Sequence, residues 1–347
     1  DALRAGLLES GANVFSIGLC PTPMAYFAHY HLKTDAAVMV TGSHNPPEYN
    51  GFKMVLNKHS FFADEIQNLQ LLTTLKNIST GQGTLNNIDI RNEYVKNNLK
   101  NIKFNKKIKI AWDIANGSMG TVIDSFTNQL SSAEHIVINK EVDGTFPNHH
   151  PDPTVPKNME QLIKTVVSNS CDIGLGFDGD GDRLGVVDNK GNIIWADQYM
   201  LLLAKEISNL YENPKIIMDV KSSKVFFDEV KKFNCEPIMF KTGHSPIKEK
   251  MKEVKSPLSG EMSGHICYGD DFFGYDDAMY VGLRLLRILS NEEISLNELM
   301  GLYPKTTATP ETRVDVEEIR KFEIINEIKN RLKDIKGKII DIDGIRV

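Results

Sequence analysis

The chain has 347 residues, of which 41% are hydrophobic and 25% are charged, as is typical of a globular protein with two or three domains. Its net charge of −6 argues against broad nucleic-acid binding, which requires a basic surface, but permits a local basic pocket for a phosphorylated small molecule. It has no apolar run of transmembrane length and does not open with a secretory signal. We expect no nucleic-acid or membrane partner, and no obligate protein partner.

The cysteines are far apart and form no C-x-x-C pair, which argues against a disulfide framework or a zinc site and favours the reducing cytoplasm: Cys20, Cys171, Cys235 and Cys267. The chain begins at Asp1 instead of Met, inside a pattern typical of an amphipathic helix with Leu3, Leu7 and Leu8 on one face. We therefore expect it to be a fragment cut at its N-terminus.

Strand-like runs alternate with helix-like ones, which predicts α/β units with mostly parallel sheets. The first unit, residues 1–90, has these predicted elements: strands at 13–17 and 36–40, a helix at 63–77 and a glycine-bearing linker at 79–87. Its residues 41–47 and 50–53 form a loop in which Ser43 follows a strand in a proline-braced turn. Such a serine can be a nucleophile or a phosphate carrier. Taken alone, the segment is better explained as a turn, since it lacks the G-x-S-x-G pattern.

The second unit, residues 91–196, has these predicted elements: a strand at 108–112, a turn into a helix at 116–120, a rigid loop at 148–153 and a helix at 158–168. An acidic run at 178–183 (DGDGDR) then joins two apolar strands. Three carboxylates so close together repel one another, and a hard divalent cation such as Mg²⁺ relieves that repulsion. An EF-hand is excluded, because the sixth and twelfth loop positions hold Arg183 and Asn189 instead of Gly and Glu. A solvated acidic turn remains the alternative.

The third unit, residues 197–304, contains a predicted strand at 216–220, and Lys221 follows it at the start of a helix at 224–233. Residues 260–265 (GEMSGH) put donors and acceptors on an exposed backbone, which suits sugar hydroxyls, although polar loops of this kind are common. Residues 241–245 (KTGHS) are equally well explained as a helix cap. Residues 305–347 are predicted to begin a different α+β unit, with these elements: a strand at 313–316, a helix to about 332 and an extended run at 338–341.

Taken together and in this order, the three loops resemble those of the α-D-phosphohexomutase family, and the match extends over essentially the whole chain. The resemblance implies three similar α/β domains with mixed sheets around a central cleft, followed by the truncated start of an α+β fourth domain. Residues 148–153 (NHHPDP) and Met262 are similar to the bacterial phosphomannomutase/phosphoglucomutase branch. Phosphoglucosamine mutase is the nearest alternative, since that branch usually has glutamine where Met262 stands.

The resemblance also implies a set of site residues. Ser43 would carry a phosphoryl group, His44 would orient it and Lys53 would act as base. Asp178, Asp180 and Asp182 would hold one Mg²⁺ per chain, completed by a phosphoserine oxygen. The remaining positions would bind the substrate: Arg183, Lys221, His244, Glu261, Met262, Ser263, Gly264 and His265.

The implied reaction is reversible phosphoryl transfer between the 6 and 1 positions of a hexose phosphate, with mannose or glucose as the sugar. It would pass through hexose 1,6-bisphosphate, which serves as intermediate and activator. Two other hypotheses remain. One is a phosphatase with an aspartate nucleophile, although Asp182 stands where that class has Thr or Val. The other is a protein that binds sugar phosphates without turning them over.

The resemblance also implies that the chain lacks most of the family's last domain, whose loop would grip the non-transferring phosphate. Without that remote binding energy the reacting hydroxyl is positioned poorly. We expect this chain to be weakly active or inactive as a mutase. Its turnover should be measured beside that of a chain with the last domain restored, and equal rates would contradict the expectation.

Overall fold

The structure is a computed structural model that describes residues 1–75, 78–305, 314–317, 320–332 and 337–347. Its α-helices are α1 Ala2–Glu9, α2 Thr22–His31, α3 Asp64–Thr74, α4 Arg91–Leu99, α5 Ile123–Gln129, α6 Glu160–Ser168, α7 Ala196–Ser208, α8 Lys224–Lys232, α9 His244–Val254, α10 Ala278–Asn291, α11 Leu296–Met300 and α12 Lys321–Arg331. Its strands are β1 Val14–Ser16, β2 Ala36–Val40, β3 Phe52–Leu56, β4 His59–Phe61, β5 Leu85–Asn87, β6 Lys109–Asp113, β7 Glu134–Ile138, β8 Ile173–Phe177, β9 Leu184–Asp188, β10 Ile193–Ile194, β11 Lys215–Asp219, β12 Glu236–Phe240, β13 Leu258–Gly260 and β14 Ile266–Tyr268. The described helices are too short or too polar to cross a bilayer.

The first unit departs from the predicted parallel arrangement. Strands β2, β3 and β4 form an antiparallel meander, in which Ala36 pairs with Leu56. Asn57 and Lys58 make the β3–β4 turn, both with positive φ (49° and 66°), as a tight hairpin turn requires. The predicted linker at 79–87 is wrong at its end, because Leu85–Asn87 forms β5 and pairs in parallel with β1.

The second unit carries a five-stranded mixed sheet in the order β10-β9-β8-β6-β7. Strands β7 and β8 both run parallel to β6, whereas β9 runs antiparallel to β8. The acidic run at 178–183 is the whole connection between β8 and β9, and it is too short for the crossover that a parallel pair needs. The sequence therefore fixes the acidic residues at the carboxyl end of β8.

The third unit repeats this plan in a four-stranded sheet of order β12-β11-β13-β14. Strands β12 and β13 run parallel to β11, and β14 returns antiparallel to β13 after the loop at 261–265. Both chemically distinctive loops thus follow the carboxyl end of a strand next to the central parallel strand. Ligands of α/β sheets gather at such ends.

One hydrophobic core joins the three units. It includes Phe27 from α2, Trp112 from β6, and Leu203 and Leu283 from α7 and α10, each at most 3% exposed.

In the part of the chain after residue 305, α12 agrees with the predicted helix. The predicted strand at 313–316 is wrong for residues 314–316, which are exposed and form no regular element, and residue 313 lies outside the described residues. Residues 338–341 contribute one bridge, between Ile340 and Arg346.

Gly179 is where the serine loop of the first unit meets the acidic loop of the second. A Cβ atom on Gly179 would lie 2.2 Å from the backbone oxygen of Ser43, far inside contact distance. Only glycine permits this approach, because the opposing atom is backbone and has little freedom to move away. The close packing of these two loops therefore depends on one absent methyl group.

We expect Gly179→Ala to destabilise the protein by about 1–3 kcal/mol, since overpacking forces the two loops apart. Urea unfolding followed by fluorescence measures the change. Gly144→Ala is the matched control, because a Cβ atom there has no neighbour within 4 Å. An unchanged free energy of unfolding for Gly179→Ala would show that the loops separate without cost.

Candidate functional site

Ser43 stands at the start of the loop between β2 and β3, facing the acidic loop of the second unit. Its backbone φ is 51°, a left-handed conformation that costs a side-chain-bearing residue about 1–2 kcal/mol. Its N–H donates to Oγ1 of Thr41 at 2.8 Å. Its Oγ lies 2.8 Å from Oδ2 of Asp178 and 2.8 Å from Oδ1 of Asp180. A hydroxyl has one hydrogen to give, so two carboxylates compete for it.

The three aspartates of the acidic loop are buried together. Asp178, Asp180 and Asp182 are each at most 2% exposed, and their ligand oxygens lie within 4.8 Å of one another. Oδ1 of Asp178 accepts hydrogen bonds from the backbone N–H groups of Asp182 and Arg183, which shapes the loop. Burial and the charge of Asp180 raise the pKa of Asp182 to about 6, and burial with both neighbours raises that of Asp178 well above its usual range.

This cluster has the chemistry of a metal site. Carboxylate oxygens are the ligands that hard divalent cations prefer. Oδ1 of Asp182 is buried and makes no hydrogen bond within the described part of the chain. A buried anionic oxygen without a partner is costly, and a bound cation removes that cost. The residues present therefore fit a metal ion.

Lys53, on β3, reaches into the same cluster. Its Nζ lies 2.7 Å from Oδ2 of Asp180 and 2.5 Å from Oδ2 of Asp182. Burial alone would lower the pKa of Lys53, but the charges of Asp182 and Asp180 outweigh it and raise the pKa. Lys53 is therefore an ammonium ion in this arrangement, and its predicted role as base stays a prediction.

Thr22 is a member of the site that the sequence analysis missed. Its Oγ1 donates to Oδ2 of Asp180 at 2.6 Å, and its backbone N–H donates to the backbone oxygen of Asp180 at 2.8 Å. Burial opposes ionisation of Asp180, but Lys53 and the hydrogen bonds from Thr22 and Ser43 prevail and lower its pKa. A threonine between two prolines at the start of α2 carries no signal of this role in sequence.

Arg183 connects the second unit to both other units. Its Nε donates to Nε2 of His265 at 2.9 Å, and its Nη1 lies 3.3 Å from Nε2 of His44. Nδ1 of His44 is in turn 3.2 Å from Oγ of Ser43. Burial and the nearby guanidinium lower the pKa of His44 to about 4, so His44 is neutral at physiological pH.

The loop between β13 and β14 supplies residues of the third unit to the candidate site. Glu261 is 2% exposed and accepts a 2.6 Å hydrogen bond from the N–H of Gly243, and burial raises its pKa to about 7. The N–H of Met262 donates to Oδ1 of Asp219. Gly264 has a φ of 91°, and its N–H closes the turn onto the oxygen of Glu261. Ser263 is partly exposed between them.

His244 opens α9 and stacks on His265, with ring centroids 4.9 Å apart and planes 19° apart. Burial and Lys248 lower the pKa of His244 to about 3. Asp276 lies beside both histidines and pairs with Lys248. The sequence analysis named neither Asp276 nor Lys248. Lys221 is exposed on the loop after β11. The fold thus brings Ser43, His44 and Lys53 of the first unit, the acidic loop of the second unit and His265 of the third into contact.

The chain matches three family models in succession. They are phosphoglucomutase/phosphomannomutase alpha/beta/alpha domain I over residues 1–79, domain II over 92–191 and domain III over 195–306.

Named proteins match over the whole chain. A phosphomannomutase/phosphoglucomutase of Pseudomonas putida is 41% identical, with 100% of this chain and 75% of that protein covered. A phosphoglucomutase of Neisseria meningitidis is 40% identical, with 100% and 76% covered. A crystal structure of a phosphoglucomutase/phosphomannomutase family protein from Burkholderia thailandensis superposes with a TM-score of 0.92 at 37% identity, covering 100% of this chain and 76% of that one. On these matches, the chain belongs to the phosphoglucomutase/phosphomannomutase family.

Proposed function

We propose that this chain transfers a phosphoryl group reversibly between the 6 and 1 positions of mannose or glucose phosphate, by way of a phosphoserine at Ser43 and hexose 1,6-bisphosphate. The observation that carries this proposal is the hydroxyl of Ser43, 2.8 Å from two buried carboxylates of another unit. The names of the relatives, phosphomannomutase/phosphoglucomutase and phosphoglucomutase, support the same activity.

Asp178, Asp180 and Asp182 are the residues that would hold Mg²⁺, together with an oxygen on Ser43. Bound Mg²⁺ supplies positive charge that stabilises the oxygens of a transferring phosphoryl group. The unpartnered Oδ1 of Asp182 and the donor set support this assignment.

In the transfer step, the oxygen of a sugar hydroxyl bonds to phosphorus while the bond from phosphorus to Oγ of Ser43 breaks. Most of the catalysis in such a reaction comes from positioning and charge. Lys53 pairs with Asp180, which Ser43 also contacts, and Arg183 contacts His44, the neutral neighbour of Ser43. The sugar hydroxyl must lose a proton. Lys53 is our candidate acceptor once Asp180 and Asp182 no longer hold it as an ammonium ion.

The substrate-binding residues that we propose come mainly from the third unit. They are Arg183, Lys221, His244, Glu261, Met262, Ser263, Gly264 and His265. A carboxyl, a hydroxyl and backbone groups at the Glu261 turn suit ring hydroxyls, while the cations suit a phosphate.

We also propose the cytoplasm as the location, supported by four buried cysteines without disulfides. The domain limits 1–90, 91–196, 197–304 and 305–347 are likewise proposals.

The competing hypotheses find less support. None of the three relatives described above is named a phosphoglucosamine mutase. A phosphatase with Asp178 as nucleophile would need that carboxylate open to substrate, and Asp178 is fully buried against Ser43. A protein that only binds sugar phosphates has no use for a strained serine at the acidic cluster.

Incubation with glucose 1,6-bisphosphate and Mg²⁺ should add the mass of one phosphoryl group to the intact chain, because Ser43 offers a partly exposed hydroxyl at the acidic cluster, whereas the Thr22 hydroxyl there is fully buried. Ser43→Ala should abolish the addition, whereas the exposed Ser131→Ala should leave it unchanged. Intact-mass and peptide mass spectrometry measure both. A phosphoryl group found on Asp178 would favour the phosphatase hypothesis instead.

Asp182→Asn should weaken Mg²⁺ binding by about tenfold or more, because affinity for hard cations depends on the number of charged ligands. Isothermal titration calorimetry with Mg²⁺ alone provides the dissociation constant. Asp124→Asn is the control, since that carboxylate lies at the surface and pairs with Lys140. Equal affinities for Asp182→Asn and the unchanged protein would exclude Asp182 as a ligand.

A further inference from the structure

A continuous series of polar side chains leads from helix α9 to Ser43 and crosses all three units. Each member lies within 3.3 Å of the next. In order from the buried end, the members are Lys248, Asp276, His265, Arg183, His44 and Ser43.

Arg183 and Asp276 together set which nitrogen of His265 carries the proton, and Arg183 sets it for His44. A guanidinium only donates hydrogen bonds. Nε2 of His265 and Nε2 of His44 both face Arg183, so both nitrogens accept a hydrogen bond and carry no proton. Each neutral ring therefore carries its proton on Nδ1. For His44, this directs the Nδ1–H toward Oγ of Ser43 and leaves the serine hydrogen to the aspartates.

The proton on Nδ1 of His265 meets two carboxylates. Nδ1 lies 2.8 Å from Oδ2 of Asp276 and 3.5 Å from Oδ1 of Asp182. Neither oxygen has a hydrogen bond elsewhere in the described chain. The Nδ1–H is thus directed to Oδ2 of Asp276, the nearer oxygen, and Oδ1 of Asp182 stays without a hydrogen bond, where a metal ion could bind it.

Asp276 is itself fixed in place. It is fully buried, and its other oxygen accepts a 2.9 Å hydrogen bond from Nζ of Lys248, which lies 4.5 Å from the ring centroid of Tyr26. Lys248 and Arg183 supply positive charge on both sides of the cluster. A protonated Nδ1 on His265 therefore lies against the second oxygen of Asp276.

We propose that Asp276 is a positioning residue for phosphoryl transfer: it holds His265 in the Nδ1–H form, so that Nε2 accepts from Arg183 and the guanidinium keeps His44 as a hydrogen-bond donor to Ser43. The inference rests on the proposed function in one respect, namely that Ser43 is the group whose orientation matters. The arrangement of the histidines can be tested without it.

The direct test is the protonation pattern of the imidazole nitrogens, read from long-range ¹H–¹⁵N correlation spectra of the protein at neutral pH. In the unchanged protein, His265 and His44 should both be neutral with the proton on Nδ1. In Asp276→Asn, His265 should move to a mixture of the two neutral forms, because an amide both donates and accepts. Nε2-protonated His265 in the unchanged protein would overturn the proposal, whatever the variants do.

The second readout is the rate at which glucose 1,6-bisphosphate phosphorylates Ser43. Asp276→Asn should slow it on the order of 10- to 100-fold, as for carboxylates that orient a functional histidine, with the half-saturating bisphosphate concentration changed less. Asp277→Asn is the control. Asp277 is also buried, but it caps α10 and accepts from Tyr94, and asparagine caps helices equally well. That variant should keep its rate within about threefold and its histidine spectrum unchanged.

Two results would contradict the proposal: an unaltered His265 spectrum in Asp276→Asn, or an unaltered phosphorylation rate in that variant. If Asp276→Asn fails to fold, Asp276→Glu retains the charge and should keep the Nδ1–H form while moving the ring. If the unchanged protein is never phosphorylated, the proposed function fails, and the spectra still decide whether Asp276 holds the histidine.

Discussion

The site is organised by the repulsion among three buried carboxylates that face one serine hydroxyl. Asp178, Asp180 and Asp182 are too close together and too deeply buried to remain ionised without compensating charge. The ammonium group of Lys53 compensates part of this negative charge by pairing with Asp180 and Asp182. Thr22 and Ser43 supply hydrogen bonds. The pKa directions of the aspartates diverge because these partners are unequally shared. A loop that is unfavourable in isolation thus becomes a strong attractor for cations.

The compensation comes from Lys53, Thr22 and Ser43 of the first unit, which is why that unit must meet the second unit closely. Gly179 allows the backbone of the serine loop to touch the acidic loop, and Arg183 extends from there to the third unit. The common core that joins the units holds these loops in register. The strain at Ser43 is stored in this assembly, since a positive φ persists only where the surroundings impose it.

Membership of the phosphoglucomutase/phosphomannomutase family fits a site that is assembled from loops of different units. Each unit contributes one polar loop, and two of these loops stand at the carboxyl end of a strand beside the central parallel strand of their sheet. What the geometry adds is the connection between loops. Asp276 and Lys248 lie behind the histidines, where they shape the site through other side chains.

Local patterns in the sequence determined the apolar strands, the acidic run, the serine turn and the glycine-flanked Glu261 loop, because each depends on residues a few positions apart. The resemblance of those loops to one family predicted three α/β domains with mixed sheets. The antiparallel meander of the first unit and strand β5 escaped prediction, since strand pairing depends on partners distant in sequence. Tertiary structure alone brought Thr22 to Asp180 and Asp276 to His265. A threonine at a helix start and an aspartate before a helix are ordinary caps until the fold surrounds them with charge.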